Sequence, residues 1–148
     1  MIRVLAMLAC CLLTSASFGG KPDDAAEKDL KALIGKWKVE KAELGGKDAM
    51  SFAKDVKLEL LEGGKYKLDL LGQKDEGTFT VDPSKKPAEM DIKGADGPNK
   101  GKTIKTIYKI DGDTVTLCYE LGGDERPTKF ETKPDSKQFL VVYKREKK

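Results

Sequence analysis

The sequence predicts an all-β protein: an antiparallel meander of about eight or nine short strands, curled into a small closed barrel and preceded by one short helix. Three observations carry this. Apolar side chains recur at every second position over most of the chain, as a strand with one buried face requires. Clusters of Gly, Pro, Asp and Asn break those runs at hairpin intervals. One stretch near the start instead spaces its apolar residues as a helix does. With 148 residues the chain has material for one hydrophobic core rather than two.

The first twenty residues differ from the rest. Met1, Ile2 and Arg3 give a short positive start, Val4 to Leu13 is an unbroken apolar run, and Thr14 to Gly20 is mostly small. This is the layout of a secretory signal peptide. A membrane-spanning helix needs roughly 20 apolar residues, about twice this run. Cleavage after Ala16 or after Gly19 both place small residues at the cut. The pair Cys10 and Cys11 adds the alternative of lipoprotein processing with acylation of Cys10. The expectation is an exported protein, periplasmic or extracellular, with a mature domain spanning residues 21–148.

In that domain Asp24-Ala25-Ala26-Glu27 has capping-box spacing, and Ala26, Leu30, Leu33 and Ile34 follow on one helical face. A helix over about Ala25 to Ile34 results, with Gly35 placed to end it in the left-handed conformation. From Lys36 the period becomes two, and the barrel is expected over residues 36–146. Trp37 and Val39 open it. Residues 46–54 break the period and predict a short helical turn carrying Met50 and Phe52, between the first two long strands, where a lid would sit. Val56, Leu58 and Leu60 share one face, as do Tyr66, Leu68 and Leu70, and Glu62-Gly63-Gly64-Lys65 turns between them. Phe79 with Val81, Met90 with Ile92, and Ile104 with Tyr108 and Ile110 continue the pattern. Asp111-Gly112-Asp113 then turns into Val115, Leu117 and Tyr119. A short strand is expected around Thr128 to Lys133, with Phe130 inward, and a last one over Gln138 to Arg145, with Phe139, Val141 and Tyr143 on one face. Such a meander hides its edges by closing first strand on last. Leu61, Leu71, Ile107, Leu140 and Val142 fall at outward parity, so the helix is expected to cover some of them; exposed together, they would form a partner patch.

Composition excludes several functions. The chain has no histidine, so Ser-His-Asp and Cys-His nucleophiles and His-ligated catalytic zinc are impossible. Its 28 basic and 25 acidic residues nearly balance and alternate along strands, unlike the one-sided basic patch of a nucleic-acid binder. Cys118, alone in the mature domain, is expected as a small buried apolar residue. The loop Gly94 to Thr103 ends in Gly101-Lys102-Thr103, as a phosphate-binding loop does, but it lacks the required earlier glycine. It also precedes a strand where an anion cradle needs a helix N-terminus. It is expected to be a turn in which Gly and Asn adopt positive φ. The carboxylates of Asp111, Asp113, Asp124 and Glu125 lie in turns. They offer neither the facing pair of a glycosidase nor an EF-hand spacing, so no catalytic or metal site is expected.

Leu33-Ile34-Gly35-Lys36-Trp37-Lys38-Val39 resembles the G-x-W opening of the lipocalins and their calycin relatives. In that family the tryptophan closes one barrel end under a basic residue from a late strand, a place that Lys144 or Arg145 fills by position. Nearly the whole mature chain resembles an uncharacterised lipocalin-like domain family abundant in planctomycete bacteria. The matching pieces include Asp29 to Trp37, Glu76 to Phe79 with Asp82 to Pro87, Asp96 to Lys102, Arg126 to Phe130 and Lys144 to Glu146. The resemblance brings no activity with it; by analogy of fold it implies a small apolar molecule in the barrel. Candidate ligand contacts are Trp37, Tyr66, Tyr108, Tyr119, Arg126 and Phe130, with Trp37 alternatively a core plug and Arg126 alternatively in an ion pair near the rim. The expectation is a monomeric, non-enzymatic binding module without cofactor, nucleic-acid partner or membrane span. The alternative is a filled barrel serving as a structural or protein-interaction domain of the cell envelope.

Overall fold

The computed structural model describes residues 22–123 and 125–147. The expected signal peptide, its two cleavage positions and Cys10 lie outside the described residues, as does Asp124. Helix α1 (Pro22–Leu33) starts on Pro22 rather than at Ala25. Proline's fixed φ and missing N–H suit a first helical turn, so Asp24 lies inside that turn instead of capping it. Gly35 does not end the helix in the left-handed conformation: its φ is +145°, and it already belongs to the first strand.

Strand β1 (Gly35–Leu44) is followed by the short β2 (Lys47–Asp48) and by α2 (Met50–Ala53), the helical turn expected there. Then come β3 (Lys57–Leu61), β4 (Lys65–Leu70), β5 (Gln73–Asp82), β6 (Ala88–Asp96), β7 (Thr103–Asp111), β8 (Thr114–Glu120) and β9 (Gln138–Arg145). From β3 onward each strand pairs antiparallel with the next, and β1 pairs with β3 on one side and β9 on the other. Eight strands therefore close into a lipocalin-like barrel, with β2 as an extra rung on β1. Closure satisfies the backbone groups of the outermost strands, which alternation alone leaves open. A bulge between Val39 and Lys41 shifts parity, so Trp37 and Val39 before it and Ala42 after it all point inward.

The core follows the expected alternation, with Trp37, Leu58, Tyr66, Phe79, Met90, Leu117 and Tyr143 buried. Phe130 is the exception. Residues 128–131 form bends and 132–133 are irregular, so no strand forms there, and Phe130 is half-buried beneath the Lys109 ammonium, 4.8 Å from its ring centroid. The reason is topological. β8 already pairs with β9 from Thr114↔Lys144 to Glu120↔Gln138, so no strand edge is left for this segment.

Residues 121–123 and 125–137 instead belong to a strap, closed at its base by Leu121 N–H donating to the Lys137 carbonyl at 3.0 Å. Arg126 binds β6 and β7, Cys118 Sγ in β8 lies 3.6 Å from the Glu131 carbonyl, and Thr132 donates to Glu43 in β1. The strap thus crosses the outer face of the sheet. Ile107 is 1% exposed, and Leu61, Leu140 and Val142 are half-buried. The strap is anchored on β7 and β8, where Ile107 pairs with Cys118. The expected patch of outward apolar residues is not exposed as a unit; Leu71 alone of the five is open to solvent.

Candidate functional site

The two barrel ends differ. At one, α1 packs against β5 and β7, with Leu33 fully buried. Trp37 donates its indole N–H to the Leu33 carbonyl at 2.9 Å. Arg145, the last residue of β9, lies with its guanidinium carbon 4.3 Å from the Trp37 ring centroid. Its Nη1 and Nη2 donate to the carbonyls of Ile34 and Ala32, each at 2.6 Å. Helices end with carbonyls that lack intrahelical partners, so one side chain both covers the indole and satisfies the helix end. Of the two candidates, Arg145 and not Lys144 sits over Trp37. Glycine is required at residue 35 by its φ of +145°, a conformation that L side chains rarely adopt; a β-carbon there would also lie 2.5 Å from Arg145 Nη1, so the guanidinium would have to shift. Tyr108 also belongs to this end, donating to Asp29 of α1 at 2.6 Å. Burial, reinforced by the Asp29 carboxylate, holds its phenol pKa well above the ordinary value.

The opposite end opens into a cavity of about 300 Å3, at the lower edge of the usual size for small-molecule sites. Its wall is mostly apolar, including Leu58, Leu68, Phe79, Met90, Ile92 and Leu117. Phe52 of α2 and Leu121 of the strap line it too, both exposed to solvent. Leu71, the third large apolar side chain exposed among the described residues, sits in the turn between lining residues Leu70 and Gln73.

Besides the exposed Gln73, two hydrogen-bonded polar groups interrupt the wall. Tyr119 and Tyr143 share a hydrogen bond of 3.0 Å between their hydroxyls. Burial raises both phenol pKa values, that of Tyr143 to about 12, so both stay protonated near neutrality. The second group centres on Asp75, only 3% exposed. Tyr66 donates its hydroxyl to Oδ2 at 3.0 Å; Asn99 donates its side-chain amide to the same oxygen at 2.7 Å and its backbone N–H to Oδ1 at 3.2 Å. Burial, with the Asp75 charge second, raises the Tyr66 phenol pKa.

Asn99 reaches Asp75 from the loop that ends in Gly101-Lys102-Thr103. That loop is a turn leading into β7, held by Lys100 N–H to the Gly97 carbonyl and Gly101 N–H to the Gly94 carbonyl. Gly97 and Gly101 have positive φ, as expected, but Asn99 does not and contributes its side chain instead. The fit is tight: a β-carbon at Gly94 would lie 2.0 Å from the Asn99 carbonyl oxygen.

The expected contact residues therefore separate. Tyr66 and Tyr119 line the cavity, whereas Trp37 and Tyr108 lie at the closed end, away from the lining. Arg126 sits on the outer face. It donates to the Met90 and Thr106 carbonyls at 3.0 and 2.8 Å and pairs with Asp91 at 2.5 Å and Glu89 at 3.5 Å. Phe130 is also outside the barrel, in the strap. The residue that sequence reasoning missed is Asp75. It lies in the polar run Gln73-Lys74-Asp75-Glu76, which has the composition of an exposed turn, yet it shares strand parity with Phe79 and Val81. That parity was the available signal.

Among the described residues, no group of three or more Cys, Asp or Glu is placed to hold a metal ion, and no helix is long and apolar enough to cross a membrane. Asp75 is the sole carboxylate in the described cavity lining, so a second carboxyl facing it across the lumen, as glycoside hydrolysis needs, is not part of that lining. The arrangement can enclose an apolar body and offer hydrogen-bonding groups at two places on the wall. Comparison of the chain with protein-family models, with curated proteins and with solved structures finds no match.

Proposed function

We propose that this protein is an exported, monomeric, non-enzymatic binding module of lipocalin-like type, whose barrel holds one small apolar or amphipathic molecule. The observation that carries this is the open cavity of about 300 Å3 with an almost wholly apolar wall. Such a surface, left to water, costs about 25 cal/mol per Å2, and an apolar occupant recovers that free energy. The exposed Phe52, Leu71 and Leu121 around the mouth support it, because they give an apolar molecule a path from outside to lumen. The Trp37–Arg145 closure favours lipocalin-like kinship, and the first twenty residues favour export. The rival, a filled scaffold with an apolar outer patch, is disfavoured by the space inside and the strap over the outer face.

The test is titration with the neutral fluorophore N-phenyl-1-naphthylamine. A saturable rise in emission at one probe per chain is expected. Leu68→Trp, which extends a half-buried wall residue into the cavity, should lower affinity at least tenfold with an unchanged circular dichroism spectrum. No saturable rise, or equal affinity in the folded variant, would remove the proposal.

A further inference from the structure

Resting on the cavity being a ligand site, we propose that its occupant is a small apolar amine, held as the ammonium ion by Asp75, and that carboxylate amphiphiles of equal size are rejected. The described lining contains one formally charged residue, Asp75, and no Lys or Arg. A buried charge is costly unless paired, and its field is strong where water is scarce. An entering carboxylate would meet a like charge without a cation to offset it. An ammonium ion would meet the opposite one.

The hydrogen-bonding inventory agrees. A carboxylate offers about four acceptor positions, and the described donors to Asp75 take three: the Tyr66 hydroxyl, the Asn99 amide and the Asn99 backbone N–H. All three are neutral, so they orient the carboxylate without cancelling its charge, and one acceptor position is left for a ligand N–H. The rest of the wall also suits a cation. Phe52, Tyr66, Phe79, Tyr119, Phe139 and Tyr143 place six aromatic rings around one small space. Ring faces attract ammonium groups, most strongly where the groups are desolvated. The carboxylate sets the head group, the rings share its space, and the leucines, Met90 and Ile92 take the hydrocarbon.

The experiment compares octylamine, 1-octanol and octanoate as competitors of N-phenyl-1-naphthylamine at pH 7.4, where an alkylamine is protonated as lysine is. Octylamine is expected to bind at least tenfold more tightly than 1-octanol, and octanoate at least tenfold more weakly. In Asp75→Asn the ratio of octylamine to 1-octanol affinity should fall to within twofold of one. Equal binding of octylamine and 1-octanol by the wild-type protein overturns the amine assignment and leaves the cavity proposal standing. So does a tenfold preference that survives in Asp75→Asn. Should the variant fail to fold, the wild-type series decides alone. Failure of the fluorophore itself to bind removes the cavity proposal and the amine assignment with it.

Discussion

Arg145 links three parts of the molecule: the ring of Trp37, the carbonyl end of α1, and Asp113 in the hairpin before β8, whose carboxylate lies 3.3 Å from Arg145 Nε. A lysine could supply the charge but not a planar fork that stacks on an indole while donating to two carbonyls. Arg145→Lys should therefore lose about 2 kcal/mol of stability in urea denaturation, while Lys144→Ala, exposed and outward, should stay within about 0.5 kcal/mol. Equal effects of the two substitutions would contradict this assignment of roles. Strand parity could have chosen between them, since Arg145 follows Val141 and Tyr143 on the inward face. What parity could not supply is the helix end that Arg145 meets, because α1 lies more than a hundred residues earlier in the chain.

At the scale of elements, the hairpins were legible and the strap was not. Glu62-Gly63-Gly64-Lys65 turns where its glycines, both at positive φ, allow it. The turn at Asp111-Gly112-Asp113 likewise has its glycine at φ +59°. Both depend on a few consecutive residues. Residues 121–137 have strand-like Phe130, but their path is set by partners elsewhere: Met90, Asp91 and Thr106 for Arg126, Glu43 for Thr132. Arg126→Ala should free this segment at a cost of about 2 kcal/mol, since charge-assisted hydrogen bonds are the stronger kind. Trypsin should then cut after Lys129, whose next residue is Phe130, at least tenfold faster than in the wild type. An unchanged cleavage rate would show that the strap does not depend on that anchor.

At the scale of the whole molecule, folding sequesters acids that ionise at high pH, Tyr143 inside the barrel and Cys118 between sheet and strap. Cys118 has its thiol pKa raised from the usual 9.0 to about 11 by burial, reinforced by Glu120, and the Tyr143 phenol rises from 10.0 to about 12 by burial. Below pH 9 these groups are protonated in folded and unfolded chains alike, so their contribution to stability is fully present. Above it the unfolded chain releases protons that the folded chain retains, and stability falls. Urea midpoints should be flat from pH 7 to 9, decline from pH 9 to 11 as Cys118 and then the tyrosines come into play, and continue down towards pH 12. Each group adds a slope of about 1.4 kcal/mol per pH unit within its own window. Cys118→Ala should flatten the part between pH 9 and 10. A midpoint independent of pH up to 11 would contradict the burial of these groups.

The sequence by itself determined the strand-by-strand alternation, the hairpin turns, the leading helix and the single core. Each rests on neighbours along the chain, where the two-residue pleat and the freedom of glycine act locally. Tertiary structure alone decided that the barrel keeps an open lumen, that Asp75 is buried in its wall, and that Arg145 rather than Lys144 closes the other end. Those outcomes depend on distances between groups far apart in sequence, 24 residues for Asp75 and Asn99 and 113 for Arg145 and Ala32. Side-chain parity states which way a residue points. Only the closed sheet fixes what it meets there and how much space remains between.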